Sequence, residues 1–244
     1  MKKLFLIALL LGISFTYAQD APKIPKNYNQ WSIEANYGIA LPTGSHPVDF
    51  VGANGYISSA VKGVDMMSFN HFDVGLKYMF NQKWGTKLSF AHEKFKEKDI
   101  PENNLVYTRI NAEVVANLMA LFNSRTDDFG FFAHGGAGLI WGVPSSPFPI
   151  NDHYDHLGNI MLGVNPVYKI SEKFALSLDL TYTLLLKQHY AANGQVLDNE
   201  MVDNHEGGGH GLGRELKPFT GGFFLFSAGI KYYLGKHKNH ADWL

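Results

Sequence analysis

The sequence contains no cysteine, and this absence removes several structural possibilities. Without cysteine there is no disulfide framework, no thiolate metal site and no lipid-modified N-terminal cysteine. The chain also lacks an excess of charge of either sign, because its formal net charge is −1. A nucleic-acid-binding protein would normally carry a basic stripe. We therefore predict neither a disulfide-stapled fold nor a nucleic-acid partner.

Long apolar runs are missing as well, apart from one at the N-terminus. Lys2 and Lys3 precede an apolar run from Leu4 to Phe15, and Ala18 closes a plausible cleavage site. This pattern predicts a signal peptide over residues 1–18 and a short periplasmic lead-in over residues 19–29. No other stretch approaches the roughly 18 apolar residues that a membrane-spanning helix needs. A helical membrane protein is excluded, whereas a membrane barrel is not.

The most informative stretch is residues 174–187, where every second side chain is apolar. The positions between them are mostly small or polar, including Asp179 and Lys187, although Leu185 is an exception. A period of two predicts a strand. The pattern runs for roughly fourteen residues, and a tilted strand crosses a bilayer with about 9–11. We interpret the apolar face as the outside of a barrel and the polar face as the inside.

Seven further segments show similar alternation. They predict strands at residues 31–41, 70–80, 84–94, 105–118, 129–141, 156–170 and 221–234. The connections between the strands alternate between long and short, which is typical of outer-membrane barrels. The fold class is therefore all-β: an eight-stranded antiparallel transmembrane β-barrel over residues 30–235, with short periplasmic turns, long extracellular loops and a periplasmic tail over residues 236–244. Pro166 predicts a bulge in the sixth strand, because proline cannot donate to the ladder.

Charged side chains recur on the polar faces of these strands. We expect ten of them in the lumen: Glu34, Asp73, Lys77, Lys87, Arg109, Glu113, Lys169, Asp179, Lys187 and Lys231. Glu93 is an eleventh candidate, because the register of the third strand is ambiguous at this point. The interior of an eight-stranded barrel is only wide enough for its own side chains. We therefore predict a lumen plugged by ion pairs, with His134 as a polar filler.

Aromatic rings lie near the predicted strand ends, where an outer-membrane barrel carries interfacial girdles. The interfacial residues are Trp31, Trp84, Tyr168 and Tyr232 at the periplasmic end and Trp141 at the extracellular end.

The predicted loops contain histidines that suggest an alternative to a purely structural role. His153, His156, His205 and His210 could bind zinc or copper together with nearby carboxylates. Their spacing matches no metal motif, so we predict solvated loop histidines and no cofactor. The predicted lipid-facing strands carry no Ser–His pair, so we predict no enzyme activity.

Five segments carry a resemblance to a known family: Gly75–Phe80, Trp84–Phe90, Arg109–Asn117, Ala133–Gly138 and Gly229–Gly235. Together they resemble the amino-terminal barrel of OmpA-like outer-membrane proteins of the Bacteroidetes type. His240–Trp243 is similar to the start of the linker that leads to the family's peptidoglycan-binding domain. That periplasmic domain is expected to be missing, so cell-wall tethering is not carried over. The resemblance implies that Tyr232 and Tyr233 serve recognition by the barrel-assembly machinery.

These observations predict a monomeric barrel in the outer membrane of a Gram-negative cell, in contact with its lipid and lipopolysaccharide. Its expected role is structural or one of surface interaction, with any recognition carried by the extracellular loops. A narrow porin-like channel for small solutes or ions is the first alternative. Metal binding by the histidine-containing loops is the second.

Overall fold

The protein folds as one closed barrel of eight antiparallel strands, in which each strand pairs with its sequence neighbour and the last strand pairs with the first. The computed structural model describes residues 28–43, 67–96, 104–124, 126–145, 154–186 and 219–243. The strands are β1 (Trp31–Thr43), β2 (Ser68–Met79), β3 (Trp84–Lys96), β4 (Asn104–Asn117), β5 (Phe129–Ser145), β6 (Asp155–Lys169), β7 (Phe174–Leu186) and β8 (Phe219–Leu234). The predicted eight-stranded barrel is confirmed. The predicted signal peptide lies outside the described residues.

Three short connections define one end of the barrel, which we call the turn end; the opposite end is the loop end. At the turn between β2 and β3, the Asn81 side chain accepts hydrogen bonds from the backbone amides of Lys83 at 2.8 Å and Trp84 at 2.9 Å. Between β6 and β7, the Ser171 hydroxyl accepts from the amide of Phe174 at 3.1 Å. Such side-chain acceptors mimic backbone turn bonds and favour tight turns.

The connection between β4 and β5 contains a short helix, α1 (Leu118–Leu121). Asn117 caps it, because its side-chain oxygen accepts from the amide of Ala120 at 3.2 Å. The sequence predicted that the fourth strand would continue through Leu118, which is wrong by one residue because this cap ends the strand. Within the described residues, no helix has the length and apolar character needed to cross a membrane.

Alternation along each strand separates an apolar exterior from a buried interior. In β7, Leu178 is 55% exposed, whereas the side chain of its neighbour Asp179 is buried in the barrel. The same contrast recurs around the wall, so large apolar side chains form a continuous exposed belt. A soluble protein rarely exposes an apolar patch of this size, and a closed barrel has no unpaired edge to satisfy in lipid. This exterior places the barrel in a membrane, as the sequence predicted for an outer-membrane protein.

Two further strand predictions are corrected by the structure. The fifth strand continues through the predicted loop as far as Ser145, because residues 142–145 pair with Asn104–Tyr107 of β4. Pro166 causes no bulge: the register between β6 and β7 is the same on both sides of it, at Val164 and at Val167. The Asn165 side-chain amide donates to the carbonyl of Leu178 at 2.7 Å. A side chain thus replaces the backbone donor that proline lacks, and no extra residue is needed.

The interior is layered along the barrel axis. At the loop end, inward side chains form an apolar cluster that contains Ala40, Phe95, Leu105, Tyr107, Ile140, Leu157, Leu185, Phe223 and Leu225. At the turn end, a second cluster contains Met79, Val115, Phe132, Val167, Ala175, Tyr233 and Ala241. Charged residues concentrate between the two. The expectation of a lumen filled by ion pairs is therefore right for the middle of the barrel and wrong for its ends.

Candidate functional site

The charged middle of the barrel is the candidate site, and its first layer lies next to the turn end. Lys77 Nζ is 2.7 Å from Asp242 Oδ2 and 3.7 Å from Glu34 Oε1. Lys231 Nζ is 3.1 Å from Glu34 Oε1 and 3.9 Å from Asp242 Oδ2. The register sets this arrangement, because Glu34 on β1 faces Lys231 on β8 directly. Two ammonium groups and two carboxylates therefore balance in this layer.

The second layer is centred on Glu113 and is linked to the first by Lys87. Lys87 Nζ lies 3.7 Å from Glu34 Oε2 and 3.4 Å from Glu113 Oε2. The other oxygen of Glu113 accepts a hydrogen bond from the Ser89 hydroxyl at 2.6 Å. Gly75 gives Lys87 the space to cross, because a Cβ there would lie 3.0 Å from the Lys87 side chain. One lysine thus connects carboxylates on two separate strands.

His134 connects Glu113 to Asp179 on the far side of the same layer. Its Nδ1 is 2.8 Å from Glu113 Oε2, and its Nε2 is 3.2 Å from Asp179 Oδ2. Asp179 also accepts a hydrogen bond from the Thr181 hydroxyl. Gly163 makes room for this group, because a Cβ there would lie 2.5 Å from His134 Nε2 and 2.3 Å from Thr181 Oγ1. The imidazole is therefore held between two carboxylates by close packing.

The third layer lies toward the loop end and is built on Arg109 and Glu93. The Arg109 guanidinium donates from both Nε and Nη2 to the Glu93 carboxylate. His71 Nδ1 is 2.9 Å from the same carboxylate. Arg109 also lies over the Phe223 ring, with Cζ 5.4 Å from the ring centroid. This pair is therefore in direct contact with the apolar cluster of the loop end.

Of the ten residues predicted to occupy the lumen, seven take part in these layers: Glu34, Lys77, Lys87, Arg109, Glu113, Asp179 and Lys231. Asp73 is half-buried and accepts from the Asn36 side chain at 3.0 Å. Lys169 is half-buried at the turn end and takes no part in the ion pairs above. Lys187 lies outside the described residues. The predicted interfacial rings of Trp31, Trp84, Trp141, Tyr168 and Tyr232 all point outward and are exposed.

Besides His134, which the sequence predicted as a polar filler, three ionisable members of the network were not among the ten predicted residues: Glu93, His71 and Asp242. The sequence alone left Glu93 open, although it lies at the same alternating positions of β3 as Lys87 and Ser89 and therefore faces the lumen with them. His71 lies at the same alternating positions of β2 as Lys77. The predicted strand began only one residue before it, so the sequence did not establish that His71 faces inward. Asp242 belongs to a segment without periodicity, so no strand pattern could place it in the lumen.

The geometry of the network leaves little room for a substrate or for an ion path. The cavity beside Lys87 and His134 has a volume of about 10 Å³, which is space for about one water molecule. Ser89 donates to Glu113 and not to His134, so this Ser–His–carboxylate set lacks the nucleophile–base contact of a hydrolase.

The histidines considered for metal binding are mostly outside the described residues, namely His153, His205 and His210. His156 is described and lies exposed on the outer face of β6. In the part of the chain that the structure describes, no group of three or more histidine or acidic side chains is arranged to hold a metal ion.

Comparison with protein families and with curated proteins finds no match for this chain. Among solved structures, the barrel is similar to Neisserial surface protein A, with a TM-score of 0.52 and 10% identity over 84% of this chain and 97% of that one. It also matches the attachment invasion locus protein Ail of Yersinia pestis, with a TM-score of 0.42 and 15% identity over 84% of this chain and 99% of that one. OprG of Pseudomonas aeruginosa gives a TM-score of 0.44 and 10% identity, covering 85% and 98%. The match to Neisserial surface protein A agrees with the closed eight-stranded topology, and the fold is that of a small outer-membrane barrel.

Proposed function

We propose that this protein is a closed, non-enzymatic outer-membrane scaffold that holds its loops at the cell surface. The observation that carries the proposal is the layered interior. Apolar clusters lie at both ends of the lumen, and between them buried charges are paired with one another. An ion that crossed this barrel would have to separate buried ion pairs, at a cost of several kcal/mol for each (about 3–5). The barrel wall therefore acts as a membrane anchor, and recognition belongs to the loops.

The finer assignments belong to the same proposal. We propose that the chain is a relative of the OmpA-like barrels of the Bacteroidetes type, on the strength of the segments that resemble that family. It is expected to be a monomer that contacts lipid and lipopolysaccharide through its apolar belt, and to reach the membrane with the help of the barrel-assembly machinery. The exposed Tyr232 ring near the end of β8 suits that last interaction.

Planar-bilayer recording tests the closed lumen against a porin-like channel. The purified protein, refolded in detergent and shown to be folded by its heat-modifiable gel mobility, is added to a bilayer of defined lipid. We expect no conductance steps beyond those of the detergent alone. A matched variant, Phe95→Ala, thins the apolar cluster at the loop end and should stay silent, because the charged layers remain intact. Steady openings by the unmodified protein would show that it is a channel.

The metal alternative has its own test. Isothermal titration of the refolded protein with zinc is expected to give no heat of binding beyond dilution. A saturable zinc signal that disappears in a His205→Ala/His210→Ala variant would instead assign metal capture to the last loop.

A further inference from the structure

The segment after β8 turns back and enters the turn end of the barrel. We call residues 237–243 the plug segment. His240 forms a parallel bridge with Asn29. Asn29 donates from its backbone amide to the carbonyl of Asn239 at 2.9 Å, and its carbonyl accepts from the amide of Ala241 at 2.9 Å. The barrel closes through β1 and β8 without this segment, so the plug is an addition to the wall and not part of it.

The plug carries one carboxylate into the lumen, and its contacts there are numerous. Asp242 Oδ2 accepts from Lys77 Nζ at 2.7 Å and from the Tyr233 hydroxyl at 2.9 Å. The backbone carbonyl of Asp242 accepts from the Asn117 side chain at 3.0 Å. His240 stacks on the Tyr233 ring at a centroid distance of 3.9 Å. The plug is thus recognised through a charge, a main-chain carbonyl and an aromatic stack.

The socket that receives the plug has an excess of positive charge when considered without it. The wall supplies Lys77 and Lys231, both over the Phe132 ring at 4.4 and 4.7 Å, but only Glu34 to pair with them. Glu34 also faces Lys87 at 3.7 Å, and the fully buried Lys231 Nζ has only the carboxylates of Glu34 at 3.1 Å and Asp242 at 3.9 Å as its charge partners. An uncompensated buried charge is strongly unfavourable. The wall alone therefore requires an anion at the position that Asp242 occupies.

We propose that the turn end is a binding site for a peptide carboxylate, and that the plug segment is its detachable, built-in occupant. Trp243 of the plug packs against the apolar cluster of the turn end. When the plug leaves, the Lys77–Lys231 socket accepts an aspartate of another peptide, followed by an aromatic residue that takes the place of Trp243. The ligand class is therefore an acidic periplasmic peptide of the Ala-Asp-Trp type. A short tether gives the plug an effective concentration in the millimolar range, so a free peptide competes only when the plug is weakened.

Detachment is measured by cysteine labelling of the full chain, since the native sequence has no cysteine. Ala241 is buried in the docked plug, so an Ala241→Cys variant should react slowly with a water-soluble maleimide. Adding Asp242→Asn removes the charge and should raise the labelling rate at least about tenfold, the usual effect of losing a charged hydrogen bond. Heat-modifiable mobility establishes that both variants are folded.

The matched control is Lys238→Gln, which removes an ion pair with Glu172 that lies in solvent, with the two side chains 83% and 61% exposed. Its labelling rate should equal that of the Ala241→Cys parent. Equal labelling of the folded parent and the folded Asp242→Asn variant would contradict the proposal that the Asp242 carboxylate holds a detachable plug in place.

Binding is measured by the fluorescence anisotropy of a labelled peptide with the sequence of residues 237–243. The peptide should bind the full-length Asp242→Asn barrel at least about tenfold more tightly than the native barrel, whose socket is filled. A peptide with asparagine in place of the aspartate should bind the variant at least about tenfold more weakly. Equal binding of the two peptides would overturn the carboxylate site. A second outcome would also contradict the site. In it, labelling shows that the plug of the Asp242→Asn barrel detaches faster, but that barrel binds no peptide.

Discussion

Removing the carboxylate of Glu93 is the sharpest test of the charged lumen. Glu93 and Arg109 are 0% and 1% exposed, and they share hydrogen bonds from two guanidinium nitrogens. Glu93→Gln leaves the guanidinium buried without its anion. Breaking a buried pair in this way costs about 3–5 kcal/mol. With a urea dependence of about 1–3 kcal/mol per M, this is a shift of the unfolding midpoint by about 1–5 M.

The assay is urea unfolding in lipid vesicles, followed by tryptophan fluorescence and by gel mobility. Glu172→Gln is the matched control, because Glu172 makes a solvent-exposed ion pair with Lys238 and should cost less than about 1 kcal/mol. The double variant Glu93→Leu/Arg109→Met should recover most of the loss, since Arg109 already touches the apolar cluster at Phe223 and apolar replacements of buried pairs are often neutral. If Glu93→Gln costs no more than Glu172→Gln, the pair is not buried as described.

Three further predictions test local features of the wall and the plug. Gly163→Ala should destabilise the barrel by about 1–3 kcal/mol through overpacking. Gly135→Ala is its control and should be tolerated, because the added Cβ would lie 3.3 Å from its nearest atom. Urea unfolding measures the stability of both variants. Asn165→Ala should cost about 1–3 kcal/mol, because it leaves the Leu178 carbonyl of the barrel wall without its donor. Asn165→Ala/Pro166→Ala should recover part of that loss by restoring a backbone donor, and a double variant no better than the single one would contradict this account. Burial lowers the pKa of His240 below its ordinary value, so plug docking is complete above about pH 6.5 and weakens as the pH falls below it. The assay is acrylamide quenching of the plug tryptophan in a variant whose other three tryptophans are changed to phenylalanine. Quenching should increase from pH 7.5 to 5.5, and it should stay constant when His240→Gln is added.

Acid has a second effect on the plug, at lower pH. Burial alone would raise the pKa of the Asp242 carboxyl, but Lys77 and Lys231 reverse this and hold it below its ordinary value. The contribution of this carboxylate to docking is therefore complete above about pH 4, the ordinary range of an aspartate. It is lost only as the pH falls through the lowered pKa. Loosening near pH 6 is thus assigned to His240 and not to Asp242.

The fold could be predicted from the sequence because a barrel wall is specified locally. Each strand needs only the alternation of its own residues, and a membrane exterior makes that alternation long and regular. The alternation of positions along a strand also indicates which side chains face inward, and it does so correctly for Glu34, Lys77 and Glu113. This alternation does not indicate how the inward-facing residues are arranged in layers along the barrel axis. Leu185 breaks the pattern of β7 because it belongs to an apolar layer with Phe223, and that layer exists only once several strands are in register.

The plug could not be predicted from any local pattern, since Lys77 and Asp242 are 165 residues apart. A signal for it nevertheless exists in the predicted wall. Adjacent strands place Lys77 and Lys231 around Glu34, so this level of the lumen has one carboxylate for two ammonium groups. A buried charge without a partner is too unfavourable to remain, and the wall has no room to hydrate it. The imbalance therefore requires an acid from outside the wall, and the segment beyond β8 brings one to the end where it is needed.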